Sequence, residues 1–184
     1  KLTTIIRKAS RQVFPMAFEA LDYLEEVFTA AVNKAPSRVC WSVPTGDTIH
    51  VQIHDYNTKP IATKHYGTVM VVADGTRNGK GAIDKRSIVK AAIPGYVHSF
   101  DAALCKEAFS QWLHPLSLTH DCFKCLPSDM DRALDRVRDA FVSIVKDNPL
   151  ERLAKDLDVE EEVQVLPLGD GKLSDIYESR YMFN

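Results

Sequence analysis

The stretch LSLTHDCFKCLP, Leu116–Pro127, decides how this chain is read. Two short apolar runs flank His120-Asp121, a pattern of strand, tight turn, strand. A carboxylate beside buried strands costs free energy unless it is paired, hydrogen-bonded or holding a metal. The dipeptide alone leaves two readings open. A turn aspartate can hydrogen-bond its own backbone. Alternatively, a rigid hairpin can present the carboxylate to Mg²⁺, a hard cation that takes oxygen ligands.

The same stretch holds Cys122 and Cys125 at CxxC spacing. On a strand, positions i and i+3 point to opposite faces, and no second cysteine pair accompanies them, so the spacing reads as neither a metal nor a redox site. Four cysteines in 184 residues suggest a reducing interior rather than a disulfide scaffold.

Working outward, Ser128–Lys146 reads as a helix with a Ser128/Asp131 capping pair and a buried stripe of Met130, Leu134, Val137, Phe141 and Val145. Pro149 starts another helix, DVEEEVQV is a solvated acidic run, and an aromatic tail closes the chain. Upstream, Ser99 reads as the cap of a helix carrying Ala102, Ala103, Ala108, Phe109 and Trp112. His98, Ser99 and Asp101 include the residue types of a hydrolytic triad. Sequence neighbours rarely have triad geometry, and no nucleophile-elbow glycines surround the serine.

Pro60–Arg86 reads as a projecting hairpin, with HYGTVMVVA as strand and DGTRNGKG as a basic polar tip. Its glycines lack the Gly-Lys-Ser/Thr opening of a phosphate loop. Before it, Ile49, Val51 and Ile53 alternate with His50, Gln52 and His54 after a Pro44-Thr45-Gly46-Asp47 turn. Four residues apart on one strand, the two histidines would sit about 13 Å apart, too far to share a metal. Phe14–Asn33 reads as a helix with Pro15 in its first turn, an inner stripe of Phe18, Leu21, Leu24, Val27, Phe28 and Ala31, and an acidic outer side.

Composition is that of one globular domain: 45% apolar, 26% charged, net charge −2. No global positive field advertises nucleic acid, so such binding would need a local basic patch. No apolar run reaches the roughly 20 residues that span a bilayer, and no signal peptide opens the chain, so no membrane partner is expected. The chain starts at Lys1 inside what reads as continuing helix, which gives the expectation of an excised piece.

Four stretches, taken in order, resemble the C-terminal part of the single-subunit RNA polymerases of phages and mitochondria. CWSVPTG (Cys40–Gly46) is similar to the family's Trp-x-x-Pro-x-Gly hairpin entry, and PGYVHSFDAA (Pro94–Ala103) to its aromatic-Val/Ile-His-Ser-x-Asp segment. THDCF (Thr119–Phe123) resembles the palm motif His-Asp-Ser/Cys-Phe, and SDIYESRYMFN (Ser174–Asn184) the aromatic tail. The resemblance covers nearly the whole chain.

It implies an α+β fold, helices packed on small antiparallel β-hairpins within a palm/fingers right-hand architecture. The chain would be a single C-terminal fragment, 1–184: a helix at 14–33, hairpins over 38–93 with a specificity loop at 60–86, the palm motif region at 94–147 and a tail region at 148–184. Asp121 would be one of two catalytic aspartates binding a Mg²⁺ pair, with His120 flanking it. His98 and Ser99 would lie against the template–product duplex. Lys64, Arg77 and Asn78 would contact the promoter, Arg and Asn being types that read base edges. Asn184, with its terminal carboxylate, would sit near the active site, and Cys122 would be a tolerated small residue.

Template and promoter DNA, RNA product and nucleoside triphosphates are then the expected partners. The second aspartate, the triphosphate-binding cations and the ribose-selecting tyrosine belong to family segments not matched here, so the isolated piece is expected to be inactive without its missing N-terminal part. Two alternatives stand beside this: an independent DNA-binding module or relic, and a piece of a family A DNA polymerase, which shares the palm. The compact hairpin and tail give the expectation of a phage enzyme in bacterial cytoplasm.

Overall fold

The computed structural model describes residues 2–55, 57–74, 82–120, 122–167, 169 and 171–179. Helix α1 (Leu2–Val13) runs into α2 (Pro15–Lys34). Pro15 opens α2, where its missing N–H costs nothing. The buried face of α2 is Tyr23, Leu24, Val27, Phe28, Ala31 and Val32, while Leu21 is exposed. The expected stripe is thus rotated: Tyr23 and Val32 turn inward, and Phe18 and Leu21 drop out of the buried set.

Strands β1 (Cys40–Ser42) and β2 (Thr48–His50) pair antiparallel across the expected turn, with Gly46 at φ +85°. That conformation favours glycine. The following chain differs from the expected single strand. β2 ends at His50, and His54 lies in β3 (His54–Asp55), which pairs with β6 (Ala82–Ile83). The two histidines belong to different ladders.

β4 (Asn57–Thr63) and β5 (Gly67–Asp74) form a ribbon that turns at Lys64–Tyr66. The strand partner of HYGTVMVVA is therefore the segment before it rather than the one after. The expected basic tip, with Arg77 and Asn78, lies outside the described residues. The far end of the expected Pro60–Arg86 hairpin is not strand: beyond the two-residue β6 the chain is helical from Lys85. α3 (Lys85–Phe109) starts at Asp84, whose side chain accepts from the Ser87 amide at 3.0 Å. Hydrogen bonds from the Ser87 side chain, then its amide, hold that carboxyl below the usual range.

Ser99 is consequently a mid-helix residue and not a cap, and Pro94 sits inside the helix. Proline removes one hydrogen bond there, and tertiary packing outweighs it. Ile88, Ala92, Tyr96 and Ala103 of α3 are buried against α2, β1 and α5 (Pro149–Asp156). Phe28, Trp41 and Tyr96 meet edge to face, with ring centroids 5.4, 5.9 and 6.3 Å apart. Tyr96 donates to the Pro149 carbonyl at 2.8 Å and Tyr23 to that of Leu150 at 3.2 Å. The other end of α5 is held by Asp156, which accepts from the amide and hydroxyl of Ser42 at 2.7 Å each.

A second, smaller core supports the hairpin β7 (Leu116–Thr119) and β8 (Cys122–Cys125), which form where expected. After a 3-10 turn (Pro127–Asp129) the chain enters α4 (Met130–Val145). No Ser128/Asp131 box caps it; Asp129 holds the N-cap position, and its side chain makes no capping bond. The buried stripe is Ala133, Val137, Ala140 and Ile144 rather than the larger Met130, Leu134, Phe141 and Val145. Small alanines let α4 approach α3 at Ala108, a preference that side-chain size alone does not reveal.

Helix α6 (Asp175–Glu178) completes the described chain. Arg138 of α4 donates to the Ser179 carbonyl at 2.8 Å, and Tyr177 donates to Asp139 at 2.9 Å, fastening the tail to α4. Among the described residues the fold is α+β, helices together with four two-stranded antiparallel ladders. No described helix is long and apolar enough to cross a membrane.

Candidate active site

The β7–β8 ladder closes with Thr119 opposite Cys122, leaving a loop of positions 120 and 121. His120 has φ +54°, a left-handed conformation used by tight hairpin loops and tolerated by histidine better than by most side chains. Asp121 lies outside the described residues.

What holds this loop out is the face beneath it. Phe123 and Cys125 of β8 point inward, and Cys122 and Lys124 outward. The inward pair, with Leu116, packs on Ala108 and Phe109 of α3 and on Ala133, Val137 and Ala140 of α4. The Phe109 and Phe123 rings pack at a 50° tilt with centroids 5.1 Å apart. The hairpin is thereby anchored to two helices along one face. Both CxxC cysteines are free thiols, Cys122 exposed and Cys125 half-buried, as opposite strand faces require.

A cavity of about 510 Å³ opens at the loop, lined by His98, Asp101, Ala102 and His120. The helix spacing explains the lining: Asp101 and Ala102 lie three and four residues on from His98, on one face of α3. A second cavity of about 440 Å³ continues past Ala102 and His120 to Cys105, Lys106, Phe109 and Leu118. The structure thus brings together two of the predicted residues, His98 and His120, from α3 and the hairpin.

It separates His98 from its neighbour. Ser99 is 8% exposed, accepts from Trp41 Nε1 at 3.0 Å and donates to the Tyr96 carbonyl at 2.6 Å. Its hydroxyl is used inside the fold. Lys64 is exposed at the turn of the β4–β5 ribbon, apart from the residues lining this cavity. Arg77, Asn78 and Asn184 lie outside the described residues. Asp101 as a lining residue was missed because the helix was read as starting at Ser99; extending it upstream puts His98 and Asp101 on one face.

Among the described residues, no three His, Cys, Asp or Glu side chains come together to hold a metal. The cavity's described donors are one carboxylate and two imidazoles, a poor set for Mg²⁺, which takes oxygen ligands. A Mg²⁺ site here therefore needs Asp121 and further oxygen donors.

Comparison with known proteins adds to this geometry. The family described as DNA-dependent RNA polymerase matches residues 2–184. A probable DNA-directed RNA polymerase of Gelasinospora sp. (strain G114) is 35% identical over 65 residues, 35% of this chain and 8% of that protein. The mitochondrial DNA-directed RNA polymerase of Neurospora crassa is 27% identical over 129 residues, 67% of this chain and 9% of that protein. The chain spans less than a tenth of each of these relatives.

The expectation of a phage enzyme in bacterial cytoplasm is overturned: of these two relatives, the Neurospora crassa enzyme is a mitochondrial polymerase, and neither is named as a phage protein. That expectation rested on the size of a hairpin and a tail, surface features that vary freely and carry no information about compartment. The matched segments, the His-Asp hairpin among them, are those of an RNA polymerase, and the chain belongs to the DNA-dependent RNA polymerase family.

Proposed function

We propose that these 184 residues are the part of a mitochondrial-type DNA-directed RNA polymerase that supplies one metal-binding carboxylate, Asp121, to nucleotidyl transfer. In that reaction an RNA 3′-hydroxyl attacks the α-phosphorus of a nucleoside triphosphate and pyrophosphate leaves. The observation that carries the reading is the His120-Asp121 loop at the end of a hairpin packed on α3 and α4, within a chain whose family match runs almost end to end.

A rigid support matters because catalysis by position demands it; misplacing a reacting group by about 1 Å costs on the order of 100-fold. Mg²⁺ bound by Asp121 and a carboxylate from elsewhere in the polymerase would stabilise charge on the attacking and leaving oxygens. His98 and His120 line a cavity whose 510 Å³ suits a nucleotide-sized group, and their imidazoles can donate to phosphate oxygens. Template DNA would lie along the same side of α3. The β4–β5 ribbon, with Lys64 at its turn, has the form of a two-stranded element that fits a major groove, in keeping with a promoter-reading role for Lys64, Arg77 and Asn78. The terminal carboxylate of Asn184 would approach the site from the tail fastened to α4.

The test is Asp121→Asn in the polymerase containing this chain. Transcription should fall by at least about 100-fold with promoter binding retained, because the substitution removes a metal ligand and keeps the shape. Full activity would refute the assignment and favour a module that only binds DNA.

A further inference from the structure

We propose that His114 and Asp129 are positioning residues for this site: they clasp the neck of the β7–β8 hairpin, with Arg132 completing the clasp, and so fix the loop end that carries His120. The inference rests on the reading of Asp121 given above. His114 stands just before β7 and Asp129 just past β8, so a contact between them closes the hairpin at its base. His114 Nδ1 lies 3.3 Å from Asp129 Oδ2.

Two features of Asp129 mark the contact as more than a cap. Asp129 occupies the N-cap position of α4, where a carboxylate ordinarily accepts from the helix's free amides, yet its side chain makes no such bond. It is also 8% exposed, and Oδ2 receives no aligned hydrogen bond. A buried carboxylate that gives up its cap needs another partner, and it faces His114.

The far side of the ring assigns the tautomer. Arg132 Nη1 lies 3.0 Å from His114 Nε2. A guanidinium only donates, so Nε2 accepts and the ring proton sits on Nδ1, facing the carboxylate. Arg132, His114 and Asp129 thus follow one another across the neck, Arg132 hydrogen-bonded to the ring and the ring's Nδ1 set 3.3 Å from the Asp129 carboxylate. The Trp112 ring packs on His114 at 5.5 Å and restricts its rotation. The apolar face of the hairpin fixes how it lies on α3 and α4; the clasp fixes how far its strands can slide or splay.

Two measurements test this. In this chain, nitrogen NMR of His114 should show the proton on Nδ1, and Asp129→Asn should shift that signal. In the polymerase, His114→Ala and the isosteric Asp129→Asn should each lower kcat per titrated active site by about 10- to 100-fold, the range for groups that orient metal ligands. KM for nucleotide should stay within about twofold, and the Mg²⁺ concentration for half-maximal rate should rise. If His114→Ala fails to fold, Asp129→Asn decides. A proton on Nε2, or variants that lose only active fraction with kcat and Mg²⁺ dependence unchanged, would overturn the clasp. Retained activity in Asp121→Asn would instead remove the catalytic reading, and the NMR would still report on the clasp.

Discussion

At the scale of single residues, neighbours in sequence divide their labour. His98 faces the cavity and Ser99 faces the core, one step round α3. The family resemblance gave both the same role against the duplex; the hydrogen bonds give Ser99 a different task. Ser99→Ala leaves Trp41 Nε1, on a ring 1% exposed, without an acceptor. An unsatisfied buried donor costs about 1–3 kcal/mol. Urea unfolding should register that loss, while duplex affinity of the polymerase should be nearly unchanged. A large loss of affinity with stability intact would mean that the serine touches nucleic acid after all.

At the scale of elements, the β4–β5 ribbon differs from the rest of the fold. Both sides are open, with Ile61, Val69, Met70 and Val71 exposed and Tyr66 85% exposed at its turn. A two-stranded ribbon without a core beneath it is marginal in water. Hydrogen exchange of this chain should therefore find amides of β4 and β5 opening locally, while those around Val27, Phe28 and Ile88 exchange only on global unfolding. Equal protection in both would show that the ribbon is held by contacts beyond its own ladder.

The elements also mark how far the sequence could be read. α2, the Gly46 turn and the His-Asp hairpin were legible because each rests on local chemistry: Pro15 at a first turn, a glycine at positive φ, two apolar runs around a two-residue loop. Lys85–Phe109 was not, because Pro94-Gly95 is a local breaker that packing of Ile88, Ala92 and Tyr96 overrides. That error propagated, hiding the shared face of His98 and Asp101. The His114–Asp129 contact was illegible for another reason: it joins residues either side of a hairpin, and nothing local links them.

At the scale of the molecule, two cores divide the work. The larger, built on Phe28, Trp41 and Tyr96, joins α2, α3, β1 and α5; the smaller holds the hairpin on the C-terminal end of α3 and along α4. α3 runs through both, so the helix that bears His98 also sets the platform for His120. The central claim is that this platform delivers Asp121 to a metal. The most direct measurement replaces Mg²⁺ by Fe²⁺ in the polymerase and maps where hydroxyl radicals generated at the ion cut the chain. The account predicts cleavage centred on the His120–Cys122 loop, suppressed by excess Mg²⁺ and lost in Asp121→Asn. Cleavage elsewhere, with this hairpin untouched, would contradict it.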